Sequence, residues 1–448
     1  MLRRLLVLVL AALTLVPARG TAAPARTAAA PASLSALDVI ALEIAYTTVM
    51  ARYYQPVDPA LLLAGARAGI VSYLHARGIA NTAVPLPAAH VDRYRAENDI
   101  DKDVAIAVAR YGRRVRTGEL VRRTIAGELA ALHDPYSVLF EPTAYKKFVG
   151  FLDGRPVGGI GAELDVDPQT HAVRVVDVFP GGPAEAAGIA SGDVITSIDG
   201  DPPPNTSPEA VAAALHGAPQ TTVRLGLTRD GVAREPVTIV RRAMAPPDVT
   251  GRVLAGATAY IRLRSFGANS AEQLDLLLPR LRDAGARAYV LDLRANGGGY
   301  RDDAIAVASH FVHGTVVTTQ ERSGVPAVFK ARIGVATLDA PLAVLVDGDT
   351  ASASEIVAGA IQDQKTGTLI GTRTFGKGLV QETFPLPDGG AIKLTTARYR
   401  TPSGRDIDRV GIVPDVVVAE PADAHPGEPG RDPQLDRALA LLRQTPAV

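Results

Sequence analysis

The sequence predicts a multidomain α/β protein with a helical N-terminal region, a mostly-β middle domain carrying two helices, and an α/β core. Three observations predict it. The chain has 448 residues and 47% apolar content, enough for two or three domains with sizeable cores. Apolar residues recur at helical spacing through 37–132, beginning with Val39, Leu42, Ala45 and Val49. Between 250 and 420, short apolar runs alternate with helical patterns, as in an α/β core.

The N-terminus carries Arg3 and Arg4, then an apolar core 12 residues long at 5–16, then small residues with a cleavage site after Ala22 or Ala23. That is a secretory signal peptide pattern over 1–23, too short to span a bilayer comfortably. It predicts an extracytoplasmic protein, secreted or periplasmic. Residues 24–36 are rich in Ala, Pro and Thr and form a linker. The helical region covers 37–146, with helices expected over 60–75, 104–111 and 119–132. Asp134-Pro135 then marks a turn.

Residues 147–243 form the middle domain. A glycine-rich turn at Gly158, Gly159, Ile160 and Gly161 precedes an alternating strand. A second helix is expected over 207–216 and strands over 223–228 and 235–241. The core covers 244–420, with buried strands at 258–261 and 288–293 around a helix at 270–282. A glycine loop, Gly297–Gly298–Gly299, follows the second strand and leads into a helix at 302–311. A tail with a short amphipathic helix at 435–442 fills 421–448.

The stretch 347–381 carries the chemistry. An apolar strand at 341–346 leads to a small-residue turn holding Ser352, and a helical pattern follows. A strand at 368–371, a loop with Lys377 between Gly376 and Gly378, and a strand at 379–384 complete it. Lys377 lies 25 residues after Ser352, Asp363 lies 11 after it, and Gln381 lies four after Lys377. Each residue alone has an ordinary reading: a helix capping box at Ser352 and Glu355, a loop lysine, a solvent-facing strand glutamine, a helix-end carboxylate. Gly371, Gly376 and Lys377 mimic a phosphate-binding loop, but Gly378 and a strand follow where Ser or Thr and a helix are required.

The joint spacing resembles the carboxyl-terminal processing (tail-specific) serine peptidases, which have a serine in an S-A-S-E turn, a lysine in F-G-K-G, and a glutamine four residues on. The matching residues are Ser352, Lys377 and Gln381, and Asp363 falls where the family has an acidic residue. The D-P-Y-S stretch at 134–137, the loop LDLRANGGG at 291–299 and the segment 401–416 also resemble the family, with Gly297 standing where proline is usual. Residues 180–200 (PGGPAEAAGIASGDVITSIDG) closely resemble a PDZ domain. The resemblance covers roughly 125–445. It implies a serine endopeptidase acting on protein or peptide substrates with free C-termini, with no cofactor. Gly298 and Ala353 would supply oxyanion N–H groups, and Gly159, Ile160 and Gly161 would hold a terminal carboxylate. Self-association through the N-terminal helices and an activating adaptor are also within what it allows.

The chemistry is coherent. A serine hydroxyl is a weak nucleophile until a base takes its proton. Lysine can do so only when neutral, so its pKa must fall from about 10.4 to about 7–8. A carboxylate touching the amine would raise it, so Asp363 is expected one layer out, joining helix and loop. Gln381 would orient the amine without adding charge. Net charge is zero, with 47 basic and 47 acidic residues, so no nucleic-acid partner is indicated. The chain has no cysteine and only eight scattered histidines, which argues against a metal. Two other readings compete: a catalytically silent PDZ adaptor, and a serine hydrolase with His310 as base, a residue expected on a helix surface.

Overall fold

The computed structural model describes residues 34–79, 92–166, 170–179, 181–204, 208–335, 338–421 and 424–444. The signal peptide expected over 1–23 and residues 24–33 of the expected linker lie outside them. At the linker's end Ser35 caps the first helix, its Oγ accepting the Asp38 N–H at 3.2 Å.

Four helices, Ala36–Arg52, Pro59–Ala76, Arg93–Tyr111 and Thr117–Ala131, form the N-terminal region. Leu42, Ala45 and Val49 face the core as their spacing predicts, while Val39 is exposed. The region does not close its own core. Leu386, Ile392 and Leu394 from the far end of the sequence pack into the same cluster as Leu63, Ile70 and Leu120. These come from an antiparallel sheet whose hub is strand Ala391–Arg400. It pairs with Val138–Phe140, with Thr315–Glu321 and with Leu379–Pro385.

The middle domain is a five-stranded antiparallel sheet over Ala162–Val166, Val173–Val178, Val194–Ile198, Thr222–Arg229 and Val232–Val240. Helices Pro183–Ala186 and Pro208–Leu215 accompany it. Ala162–Val166 is an edge strand of that sheet. Arg264 of the core ties this domain down. Its Nε donates to Glu163 at 2.8 Å and its Nη2 to Asp177 at 3.1 Å.

The core is a six-stranded sheet in the order Val416–Val417, Thr368–Gly371, Leu342–Val346, Ala288–Asp292, Thr258–Leu263 and Val249–Leu254. Every neighbouring pair is parallel except the last. Both faces are covered, as parallel sheets require. Leu291, Val344 and Leu369 face helices Ser270–Asp283, Arg301–Ala308 and Ala353–Gln364. Val290, Ala343, Leu345 and Ile370 face the C-terminal helix Pro433–Gln444. Among the described residues no helix is long and apolar enough to cross a membrane.

Candidate active site

Ligand sites of open parallel sheets lie beyond the carboxyl ends of the strands. Strands Ala288–Asp292 and Leu342–Val346 are parallel neighbours, so the loops that leave them emerge side by side. One is the glycine loop and the other is the Ser352 turn. Asp347 fastens the two, accepting the N–H of Ala295 at 2.9 Å and of Thr350 at 2.8 Å. Asn296, fully buried, does the same from the other side. Its backbone carbonyl accepts Ala351 N–H at 3.0 Å and Ser354 Oγ–H at 2.8 Å.

Ser352 occupies the sharp bend between strand and helix, with φ 59° and ψ −116°. A side chain rarely adopts this conformation, and such strain collects at active sites. It persists here because neighbours hold the turn. Tyr399 Oη donates to the Ser352 carbonyl at 3.1 Å, and Glu355 accepts the Ser352 N–H at 2.9 Å.

Glu355 does more than cap the helix. Its side chain is fully buried. Oε1 accepts Thr374 Oγ–H at 2.6 Å and Gly376 N–H at 2.8 Å, and Oε2 also accepts Lys377 N–H at 2.9 Å. One carboxylate thus binds the serine turn to the lysine loop. The loop itself packs against the 407–411 turn so closely that a Cβ on Gly376 (φ 88°) would lie 2.7 Å from Gly411 N.

Ser352, Lys377, Gln381, Gly298 and Ala353 line one cleft of about 730 Å³. Lys377 has no ion pair among the described residues, and its Nζ sits 5.2 Å from the Tyr136 ring centroid. Burial pulls the amine down to about 8, helped by the charge of Lys393 and opposed by Glu355 and Asp134. Gln381 Nε2 donates to Thr395 Oγ1 at 3.3 Å. Thr395 N–H in turn donates to Ser137 Oγ at 3.0 Å, and Ser137 Oγ–H to Asp134 at 2.6 Å. The 134–137 turn therefore reaches the cleft through Gln381. Among the described residues no hydrogen bond joins Ser352 Oγ to Lys377 Nζ.

Gly298 and His310 stand differently from their sequence reading. Gly298 N–H donates to Asn296 Oδ1 at 2.9 Å, so its donor is already engaged within its own loop. Asp363 lies outside the cleft. It sits three helical turns from Ser352, about 16 Å along the axis, where it accepts Ser403 N–H at 2.8 Å and pairs with Arg405. Burial works to raise its carboxyl, but hydrogen bonds from Thr401 and Ser403, with the charge of Arg405, hold it below the usual range. His310 is buried rather than on a helix surface. Its Nε2 lies 2.9 Å from Asp275 Oδ1, and it is not among the cleft residues.

The sequence reading missed three contributors. Glu355 carried a signal, but one that spelled only a helix cap. Lys393 and the Pro142–Leu152 helix, whose Phe148 and Phe151 line the cleft, come together only through the antiparallel sheet.

Residues 257–418 match the model of Peptidase family S41, and residues 158–239 match a PDZ domain. A carboxyl-terminal-processing protease of Picosynechococcus sp. is 37% identical over 351 residues, covering 75% of this chain and 82% of that protein. The chain belongs to the carboxyl-terminal-processing protease family. A second family member, from Synechocystis sp., is 36% identical over 74% of this chain and 78% of its own length. The solved S41 protease from Bacteroides fragilis superposes with a TM-score of 0.54 at 18% identity, covering 70% of this chain and 87% of that one, and shares the fold. As a family member this chain is a serine-type peptidase.

Proposed function

We propose that this protease cleaves with a Ser352–Lys377 dyad. The observation that carries the reading is the cleft itself. It holds a serine in a strained strand-to-helix bend and a lysine pulled down to about 8, both fastened to Glu355. Lys377 in its neutral form takes the Ser352 Oγ proton as the Oγ–carbonyl bond forms. The resulting ammonium returns that proton to the leaving amine as the C–N bond breaks. A water, deprotonated by the same amine, then attacks the acyl-enzyme and frees Ser352.

Ala353 N–H, at the helix start, and Gly298 N–H are the oxyanion donors in this reading. Gly298 must share its proton with Asn296 Oδ1, which leaves Ala353 the stronger of the two. Removing one such donor typically costs about 100–1000-fold in turnover. Gln381 orients the lysine from the Thr395–Ser137–Asp134 chain. Asp363 serves by holding the helix against the 401–405 turn.

The PDZ domain selects the tail. Gly159, Ile160 and Gly161 border a groove of about 300 Å³ with Leu164, Leu215 and Met244. The edge strand Ala162–Val166 flanks it, the arrangement into which a peptide C-terminus adds as a further strand. Substrates are then extracytoplasmic proteins with accessible apolar C-terminal tails, in keeping with the leader-like pattern at 1–23. The test is cleavage of an unfolded protein with such a tail by the wild type, Ser352→Ala and Lys377→Ala. Cleavage lost in both variants supports the dyad, whereas equal cleavage in all three overturns it.

A further inference from the structure

A second lysine lines the cleft, and the chemistry above leaves it unused. Lys393 lies on the hub strand Ala391–Arg400, opposite Thr383 on one side and Val138 on the other. It is two residues from Thr395, the partner of Gln381. Its Nζ sits 6.0 Å from the Phe140 ring centroid and 5.7 Å from that of Phe148. Among the described residues it has no hydrogen bond and no ion pair.

Its neighbours cannot neutralise it. Four cationic residues line the cleft. Arg264 is paired with Glu163 and Asp177, and Arg301 with Asp302. That leaves Lys377 and Lys393. The acids around them are committed elsewhere: Glu355 to the serine and lysine loops, Asp134 to Tyr136 N–H and Ser137, Glu382 to Arg52 and Thr396. Asp408 and Arg409 face the cluster beside Tyr136, and Tyr399 faces it from the hub strand.

We propose that Lys393 is an electrostatic positioning residue: its charge, held against two phenylalanine rings without a counter-ion, disfavours a proton on the Lys377 amine and so enlarges the neutral fraction that can take the Ser352 proton. A neighbouring cation is one of the established ways to free a lysine for such work. After burial, Lys393 is the largest influence lowering Lys377. Burial lowers Lys393 as well, and Asp134 opposes that. The two amines thus compete for protons as a pair. The proposal rests on the dyad reading above.

The test is kcat/KM against pH on a peptide with an uncharged apolar tail, for the wild type, Lys393→Met, Lys393→Arg and Lys377→Ala. Removing the charge is expected to move the rising limb of the Lys393→Met profile to higher pH by about 0.5–1. Activity at pH 7 then falls about 3–10-fold and is recovered in alkali, while Lys393→Arg keeps the wild-type limb. Lys393→Gln replaces the Met variant if the latter does not fold. An unmoved limb in a folded neutral variant overturns the proposal. So does a defect confined to KM on a tail with an acidic residue, which would make Lys393 a reader of substrate charge. Full activity in Lys377→Ala would instead overturn the dyad, and is separable because it does not involve Lys393.

Discussion

The carboxylate of Glu355 reaches from the first turn of the Ser352 helix to the backbone of Lys377, whose N–H it accepts at 2.9 Å. The same oxygen accepts the Ser352 N–H at 2.9 Å. The proposed nucleophile and base therefore take their positions from one fully buried group. Its charge works against a neutral lysine, and burial of the amine outweighs it.

Glu355→Gln turns two acceptor oxygens into one and aims an NH2 group at donors. We expect a loss of about 2–4 kcal/mol in stability, since buried charge-assisted bonds are broken. Turnover should fall about 100-fold or more through misplacement of both groups, with KM little changed. Denaturant titration and steady-state kinetics check this, and a variant with wild-type kcat would refute the linkage.

The pH dependence follows from Lys377. In the proposed dyad its neutral form is the active one, so kcat/KM should rise about tenfold per pH unit in acid and level off above about 8. At pH 7 only about a tenth of the enzyme is competent. A flat profile between pH 6 and 9 would exclude lysine as the base.

Gly298 (φ 105°) tolerates no side chain: an added Cβ would lie 2.9 Å from both Ala351 O and Ser352 Cβ. Gly298→Ala should cost about 100-fold in turnover by displacing the serine turn. Gly297→Ala, whose Cβ meets nothing within 4 Å, should cost far less. Parallel kinetics of the two variants separate a local steric effect from a general loosening of the loop.

Asp363→Asn should weaken the fold and spare the chemistry. Its carboxyl is lowered in the folded state. The stability it contributes is thus present above the ordinary carboxylate range and lost as pH falls through the lowered value. We expect about 1 kcal/mol of destabilisation at pH 7, discounted because Arg405 is partly exposed, and none in strong acid. The Lys377 limb of the pH profile should stay in place.

Glu128 sits fully buried in the helical region, with neither carboxylate oxygen hydrogen-bonded. Burial, helped by Asp101, raises it well above the usual carboxylate range. The native state keeps this proton while the unfolded chain releases it, so stability declines as pH rises above about 4.5. Glu128→Leu should therefore stabilise the protein by about 1–3 kcal/mol at pH 8, with the advantage shrinking towards pH 4. Thermal melts across that range measure it.

Much of this was legible because it is local. The helical spacing of Leu42, Ala45 and Val49, the apolar strands read at 288–293 and 341–346, and the strand–turn–helix order around Ser352 all depend on residues a few positions apart. The Ser352, Lys377 and Gln381 spacing stood out because three chemically unlike residues recur at fixed distances in a known pattern. What stayed hidden was long-range. Glu355 has the same signature whether it caps one helix or also holds a loop some twenty residues on. Lys393 carries no motif of its own, and only antiparallel pairing sets it in the cleft.

By itself the sequence determined the element types, the family and the residues available for chemistry. Propensity, periodicity and motif spacing are properties of the chain before it folds. The tertiary structure alone decided that the N-terminal helices and strand Ala391–Arg400 share one core, and that Asp363 pairs with Ser403 and Arg405 outside the cleft. It also decided that burial beside a second cation brings Lys377 down towards neutrality. The reason is physical: burial and charge–charge coupling depend on distances in space, which residues far apart in the chain acquire only when the sheets assemble.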